Sequence, residues 1–253
     1  MKKQRYKVTD KTNAKFIEFV NRTKAKNHLF QSFNVFDYLL RAITHCLGKR
    51  IKIKMGSKFF YKSFNKNYFF KNLYKNLVAI EYLSTIKDIS NCSISYTVND
   101  IGCGSAPSSI AYELLFNHKD KMQFNLKDTS KYQMYIAKEM LKQQGISKAD
   151  IDESSVSAHD FENMAGLTFF SYFLCEQTPK ELAFIRDSIL HITGHVICID
   201  YERNLKQFAD FLKGHFDVCR IKLSVQLSSD IRAILNTEEI TVNGLYFYAK
   251  RTG

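Results

Sequence analysis

Glycine and proline are scarce in this sequence, and long apolar runs are absent. Of 253 residues, 10 are Gly and 2 are Pro. No apolar run approaches the roughly 18 residues that a membrane-spanning helix requires, and the first basic residues are not followed by the apolar segment of a secretory signal. We therefore expect no membrane association and a cytoplasmic location.

The cysteines are too widely spaced to suggest a metal site. The six are Cys46, Cys92, Cys103, Cys175, Cys198 and Cys219. No Cys-x-x-Cys pair occurs, and thiols in a chain of this length without a secretory signal are expected to be reduced and mostly buried. The sequence predicts no bound metal.

The positive charge is concentrated in the first part of the chain. Residues 1–98 carry 20 Lys and Arg against 5 Asp and Glu, whereas residues 99–253 carry 17 against 20. A Lys-rich composition alone would make the chain basic throughout. The asymmetry favours a polyanionic partner, most commonly nucleic acid, with a solvated helical face or an acidic protein partner as the alternatives.

The same basic part has a helical pattern. Apolar residues recur at intervals of three and four in 14–24 and 33–48, and aromatic residues interleave with Lys in 59–86. We predict that residues 1–95 form a basic, mainly helical N-terminal domain or lid. Tyr and Phe at this spacing most often form a core, and stacking on unpaired bases is the alternative.

Strands and helices alternate from about residue 96. The predicted strands are 96–101, 122–128, 154–161, 166–174, 194–200, 216–227 and 239–251, and the predicted helices are 107–117, 130–145, 178–190 and 203–214. This order predicts an α/β fold with a doubly wound, mainly parallel seven-stranded sheet. Because no strong helix follows the two final strand runs, an antiparallel last strand is compatible with the pattern.

Two of the ten glycines and one of the two prolines fall within residues 102–107. The turn follows a predicted strand, and ligands of doubly wound sheets bind at such strand ends. The dinucleotide fingerprint Gly-x-Gly-x-x-Gly is not met, because Pro107 occupies its third glycine position. A phosphate-binding P-loop is excluded, because no Gly-Lys-Ser/Thr follows.

Residues 100–106 resemble motif I of the class I S-adenosylmethionine-dependent methyltransferases, written Asp/Glu-x-Gly-x-Gly-x-Gly. Asp100, Gly102 and Gly104 match the motif, and Ala106 stands where it has a third Gly. The resemblance extends over about residues 96–250. It implies a Rossmann-like methyltransferase fold and a cofactor-binding domain over residues 96–253.

Two acidic positions further along match the family's order. Asp128 ends the second predicted strand, 26 residues after Gly102, where the resemblance implies a carboxylate that accepts from the ribose hydroxyls. Asp160 and Phe161 end the third predicted strand, where the family has an Asp for the adenine amino group beside an apolar residue.

The resemblance implies S-adenosylmethionine as the cofactor. The residues implied to bind it are Asp100, Gly102, Cys103, Gly104, Ala106, Asp128, Thr129, Asp160, Phe161 and Ser171. The glycines would let the backbone approach the cofactor without intervening Cβ atoms. Asp100 would hold the turn or, through water, contact the cofactor's ammonium group.

The segment 171–176, Ser-Tyr-Phe-Leu-Cys-Glu, follows the fourth predicted strand, where substrate-facing residues of the family lie. It lacks the Pro-Pro of amino-methylating nucleic-acid enzymes and the Pro-Cys of cytosine-C5 enzymes, so both chemistries are disfavoured. If the acceptor must lose a proton, Tyr172 and Glu176 are the candidate catalytic residues, with His159 behind them.

The sequence therefore favours a methyltransferase that acts on RNA, either rRNA or tRNA, and grips phosphates through its basic N-terminal part. The pattern Ser-Tyr-x-Leu-x-Glu behind that part is similar to the ribosomal small-subunit methyltransferase-like group, although that group's cysteine cluster is missing. A small-molecule methyltransferase with residues 1–95 as a lid is the first alternative. A catalytically inactive cofactor-binding partner protein is the second.

Overall fold

The computed structural model describes residues 3–26, 68–87, 89, 97–117 and 121–249. Several sequence predictions lie outside these residues. They are the helix at 33–48, the first part of the aromatic and Lys segment at 59–67, Cys46 and Cys92.

Eight strands and eight α-helices occur within the described residues. The strands are β1 (Gln4–Arg5), β2 (Thr97–Ile101), β3 (Gln123–Lys127), β4 (Ala149–Asp152), β5 (Leu167–Ser171), β6 (Gly194–Ile199), β7 (Cys219–Gln226) and β8 (Glu239–Ala249). The helices are α1 (Asp10–Lys26), α2 (Phe70–Ile86), α3 (Pro107–Phe116), α4 (Lys131–Gln143), α5 (Ala158–Asn163), α6 (Pro179–Ser188), α7 (Glu202–Leu212) and α8 (Ser229–Leu235). Short 3-10 helices cover Leu174–Glu176 and Ile189–His191.

The strands form one sheet in the order β1-β7-β8-β6-β5-β2-β3-β4. All neighbours are parallel except β8, which runs antiparallel between β6 and β7. The predicted α/β fold with a mainly parallel sheet is confirmed. The sheet has one strand more than the predicted seven, because Gln4–Arg5 adds to its edge beside β7.

The third strand of the predicted series lies earlier than expected. Prediction placed it at 154–161, whereas β4 spans Ala149–Asp152 and pairs with β3. Residues 158–163 instead form α5, which begins at a capping box between Ser157 and Asp160. The strand was missed because β4 is an edge strand, and its alternately exposed Ala-Asp-Ile-Asp sequence lacks the apolar run of a central strand.

Both faces of the sheet are covered by helices. Neighbouring residues of β5 point to opposite sides, so that Phe169 joins the core beneath α1, α2 and α3, whereas Phe170 joins the core beneath α6 and α7. Phe19 of α1 and Leu77 of α2 are fully buried in the first core. The described N-terminal helices therefore pack directly on the sheet.

A buried carboxylate on α2 holds the start of the chain in place. Glu81 accepts hydrogen bonds from the hydroxyl groups of Tyr6 at 3.1 Å, Thr9 at 2.5 Å and Thr12 at 2.7 Å. Lys15 Nζ donates to the Leu114 carbonyl at the end of α3, at 2.5 Å. These bonds connect α1 to both α2 and α3.

None of the helices in the described part of the chain is long and apolar enough to cross a membrane.

Candidate active site

A cleft of about 370 Å³ opens at the carboxyl edge of the sheet. It lies where the strand order reverses between β2 and β5, the position at which doubly wound sheets bind ligands. Its walls come from the ends of four parallel strands. They include Gly102 after β2, residues 127–129 after β3, residues 154–156 after β4, and Phe173 and Glu176 after β5.

The glycine turn adopts left-handed backbone at alternate positions. The φ angles are +63° at Gly102, +53° at Gly104 and +61° at Ala106. Ala106 thus takes the conformation that favours Gly in the third position of the motif, at a cost of about 1 kcal/mol for an L-residue. The substitution leaves the shape of the turn intact.

The two glycines of the turn face different surroundings. A Cβ at Gly102 would lie 2.2 Å from the ring of Phe173, whereas a Cβ at Gly104 would meet no atom of the described residues within 4 Å. Gly102 is therefore required by protein packing. Gly104 leaves open space that a ligand can enter.

Asp100 holds the turn against α3. Its carboxylate is fully buried and accepts from the Ser109 N–H at 3.1 Å and the Ser109 hydroxyl at 2.8 Å. Burial raises the pKa of Asp100 to about 7, although the Ser109 hydrogen bonds oppose this rise. Of the two roles considered for Asp100, the geometry supports holding the turn.

Asp128 joins the glycine turn after β2 to the turn after β3. One carboxylate oxygen accepts from the Gly104 N–H at 2.9 Å, and the other accepts from the Ser130 N–H at 2.8 Å. Burial raises its pKa. Each oxygen keeps a further lone pair, so Asp128 can accept from a ligand while it holds the turn, and exposed Thr129 lies beside it in the cleft.

Lys127 brings two carboxylates together beside the turn after β4. Its ammonium group lies 2.6 Å from Asp152 and 2.8 Å from Asp160. The hydrogen bond from Lys127 lowers the pKa of Asp152 to about 2. Asp160 therefore lies beside the strand ends although no strand carries it, and Asp152 is the residue that ends the third strand.

Three of the ten residues implied to bind the cofactor line the cleft, namely Gly102, Asp128 and Thr129. Four others are packed or hydrogen-bonded within the protein. Cys103 Sγ lies in the core, 3.4 Å from Met134 Sδ, and Ala106 is fully buried. Phe161 is buried against Phe170 and Phe184. The Ser171 hydroxyl accepts from Asn76 Nδ2 of α2 at 3.0 Å.

Tyr172 and Glu176, the candidate catalytic residues, both follow β5, and Glu176 lines the cleft. Tyr172 has a φ of +57°, which is unusual for a residue with a bulky side chain. Glu176 is an exposed residue that opens onto the cleft, but nearby protein partly desolvates its carboxyl group, and this desolvation together with Asp128 and Asp200 raises its pKa to about 7. Burial also raises the pKa of Tyr172, so its phenol is neutral.

His159 lies elsewhere. Its side chain is exposed on α5 and contacts Asn163 and Glu162 of the same helix.

Several lining residues were not predicted from the sequence. They are Lys127, Ser154, Ser155, Val156, Gln177, Glu181, Phe184 and Ile185. For Lys127, the sequence offers one local indication of a site residue, because it directly precedes Asp128 at a strand end. The others are brought together by the positions of β4 and α6. Within the described residues, no group of three or more His, Cys, Asp or Glu could hold a metal ion.

The order of strands from β2 to β8, with β8 antiparallel beside β6, is the arrangement implied by the motif I resemblance, namely the class I methyltransferase fold. Comparison with solved structures also returns proteins described as methyltransferases. No protein-family model matches this chain, and no curated protein sequence does.

Three of these structures illustrate the range of sequence identity, coverage and structural similarity. A precorrin-6y C5,15-methyltransferase from Geobacter metallireducens GS-15 is 14% identical and covers 60% of this chain and 80% of its own, with a TM-score of 0.46. A protein from Pyrococcus horikoshii, given in its description as a proposed RNA methyltransferase, is 12% identical and covers 97% and 100%, with a TM-score of 0.49. A ribosomal protein L11 methylase from Lactobacillus delbrueckii subsp. bulgaricus is 22% identical and covers 61% and 70%, with a TM-score of 0.43.

Proposed function

We propose that this protein is an S-adenosylmethionine-dependent methyltransferase whose cofactor binds in the cleft between β2 and β5. The observation that carries the proposal is the open space at Gly104 beside the Asp128 carboxylate. The cleft volume of about 370 Å³ lies in the usual range for small-molecule sites. When bound, the cofactor supplies an electrophilic methyl group on a sulfonium.

The side chains of the cleft suit the separate parts of this cofactor. Asp128 would accept from the ribose hydroxyls with its remaining lone pairs. Val156, Phe184 and Ile185 offer an apolar surface for the adenine ring. Asp160, held beside the strand ends by Lys127, is the candidate acceptor for the adenine amino group.

Glu176 is the candidate general base. Methyl transfer is a displacement in which positioning supplies most of the acceleration, and a base is needed only when the acceptor must lose a proton. A carboxyl group with a pKa of about 7 can take up that proton at neutral pH. Tyr172, whose phenol stays neutral, would orient the acceptor.

We further propose that the acceptor is RNA, either rRNA or tRNA. The support is the charge distribution, since residues 1–98 carry 20 Lys and Arg against 5 Asp and Glu. Phosphate contacts made by such residues provide most of the affinity in nucleic-acid complexes. The described part of this segment packs directly on the sheet that carries the cleft, so RNA bound there would lie close to the site.

A small-molecule acceptor is the second candidate. The observation in its favour is the hydrogen bond from Asn76 of α2 to Ser171, because it brings the N-terminal part over the end of β5, as a lid would be. The two candidates differ in salt dependence: binding to phosphates weakens steeply as salt rises, whereas a covered metabolite site should respond little.

The proposed function is tested by transfer of tritium from labelled S-adenosylmethionine to separated RNA, DNA, protein and small-molecule fractions. Asp128→Asn, which keeps the shape of the side chain, is expected to abolish labelling through loss of cofactor binding. Asp187→Asn, on the exposed surface of α6, is the matched control. Label in RNA supports the first candidate, and label only in small molecules supports the second. Failure of the unaltered protein to bind S-adenosylmethionine would overturn the proposal altogether.

A further inference from the structure

The Tyr172 ring contacts two side chains from distant parts of the chain. Lys75 Nζ of α2 lies 5.4 Å from the ring centroid of Tyr172, and the Tyr172 and Tyr201 rings meet edge to face at 5.7 Å. Tyr172 follows β5 and Tyr201 follows β6, so both lie at the carboxyl edge of the sheet. We refer to Lys75, Tyr172 and Tyr201 as the tyrosine–lysine cluster.

The ammonium group of Lys75 lacks a counter-charge. It is half-buried, and among the residues that the structure describes it has no acidic partner. Burial and the neighbouring Lys71 lower the pKa of Lys75 to about 8. Partial removal of a cation from water without an anion destabilises the fold, and a ligand oxygen would compensate for that cost.

Hydrogen bonds join the segment that carries Tyr172 to the segment that carries Tyr201, and the Tyr172 N–H donates to the Ile199 carbonyl at 2.7 Å. Asp200 at the end of β6 accepts from the Cys175 N–H at 3.0 Å and from the Tyr201 N–H at 2.6 Å. Tyr172 adopts left-handed backbone, and strained backbone of this kind is concentrated at functional sites. Tyr201 is nevertheless 58% exposed, which leaves surface available for stacking.

The third member is also fixed. Next to Lys75 on α2, the Asn76 side chain is fully buried and donates to the Ser171 hydroxyl at 3.0 Å. This bond joins α2 to the residue directly before Tyr172. The cluster is therefore assembled before any ligand arrives.

We propose that the tyrosine–lysine cluster is the subsite for an unpaired RNA base, which stacks on Tyr201 while a keto oxygen of the base accepts a hydrogen bond from Lys75. This inference rests on the proposed RNA methyltransferase function and identifies which part of the substrate the site recognises. Aromatic side chains bind unpaired bases by stacking, and Lys donates readily to base keto oxygens. Glu176 lines the cofactor cleft and follows Tyr172 by four residues, so the segment after β5 connects the cluster to the cleft.

The subsite is tested by the binding of two fluorescein-labelled single-stranded RNA probes, oligouridine and oligoadenosine of equal length. Uracil carries keto oxygens, and adenine carries none. The wild-type protein should bind oligouridine more tightly. Lys75→Met should remove this preference, and Lys75→Arg should retain it because Arg also donates to a keto oxygen.

Stacking is tested with the same probes. Tyr201→Ala should weaken both by about 10-fold, within the range measured for loss of one base–aromatic stack, and Tyr201→Phe should bind like the wild type. Tyr135→Ala on α4 is the matched control, because Tyr135 is 59% exposed and lies on a different helix. Binding of S-adenosylmethionine should stay unchanged in all these variants, which also reports that they are folded.

The outcomes separate this inference from the function on which it rests. If tritium enters RNA but Lys75→Met and Tyr201→Ala bind both probes like the wild type, the subsite is wrong and the RNA methyltransferase stands. If Lys75→Met does not fold, the subsite is still supported when Lys75→Arg keeps the preference for oligouridine and Tyr201→Ala binds both probes more weakly. If Tyr201→Ala binds both probes like the wild type, the subsite is wrong. If tritium enters small molecules only, the RNA acceptor and the RNA-base subsite are both wrong, and the small-molecule methyltransferase is supported.

Discussion

The turns after β2, β3 and β4 differ from the tyrosine–lysine cluster in how their polar groups are paired. In the turns, Asp128 accepts from two backbone N–H groups, and Lys127 pairs with two carboxylates. In the cluster, Lys75 has no acidic partner among the described residues. Groups that pair within the protein maintain the shape of a site, whereas a half-buried charge without an acidic partner can be stabilised by a ligand.

The two regions also differ in how far apart their residues are in the sequence. The turns are local structures, each built within a few residues of a strand end and joined by backbone hydrogen bonds. The cluster combines one residue from α2 with residues that follow β5 and β6. Cofactor binding and acceptor binding should therefore respond to different substitutions.

The largest effect is expected at Glu176, which lines the cleft. Glu176→Gln should lower the rate of methyl transfer at saturating cofactor by about 100-fold or more, the usual contribution of a general base. Because the pKa of Glu176 is raised to about 7, the carboxyl is protonated below that pH. The wild-type rate should therefore rise as pH increases through about 7, and the variant should lack this rise. Equal pH profiles in single-turnover measurements would exclude Glu176 as the base.

Gly102→Ala should be the most destabilising change in the turns. The new Cβ would lie 2.2 Å from the Phe173 ring at a φ of +63°, so strain and overpacking together should cost about 3 kcal/mol of unfolding free energy. Gly104→Ala is the matched variant, since its Cβ meets no described atom within 4 Å, and it should cost about 1 kcal/mol. Urea unfolding measures both, and equal losses would contradict the different surroundings of the two glycines.

Gly104→Ala should have its main effect on the ligand. If the open space at Gly104 receives the cofactor, the methyl group should weaken S-adenosylmethionine binding at least tenfold while the protein remains folded. Isothermal titration calorimetry measures this directly. Unchanged affinity would show that the cofactor does not approach this residue.

Lys127→Met should have a smaller effect on stability, about 2 kcal/mol, because it leaves Asp152 and Asp160 without their cation. This loss of unfolding free energy is smaller than for a fully buried ion pair, because Asp152 is half-exposed and solvent partly screens its charge. The pKa of Asp152 is lowered to about 2 by Lys127, so this stabilisation is present at neutral pH and is lost as pH falls from about 4 towards 2. Wild type and variant should therefore converge in stability at acid pH, and parallel curves would contradict the ion pair.

Ala106→Gly should have the smallest effect. Gly relieves the left-handed strain at a φ of +61°, but it removes a fully buried methyl group and adds freedom to the unfolded chain. We expect a net change below about 1 kcal/mol, measured by urea unfolding. A larger loss would mean that the Ala106 methyl group is essential to the packing of the turn.

The order of elements after residue 97 could be predicted because each strand and helix carries its own hydrophobic period. The exception is instructive. β4 lies at the sheet edge and buries few side chains, so its sequence has no strong apolar pattern, whereas Ser157 and Asp160 form a local capping box that begins a helix. Asp160 is held beside Lys127, a residue that lines the cleft, by a long-range ion pair that no local pattern signals.

Local sequence was sufficient for the glycine turn, for Asp128 at the end of β3 and for the mainly parallel sheet, because backbone conformation and hydrophobic period depend on neighbouring residues. Local sequence could not identify the contact of Gly102 with Phe173 or the packing of α2 against the end of β5. It also could not identify the contacts of Tyr172 with Lys75 and Tyr201. These depend on packing between segments up to about 125 residues apart in the sequence. Side chains so distant along the chain become neighbours only when hydrophobic burial folds α2 onto the sheet.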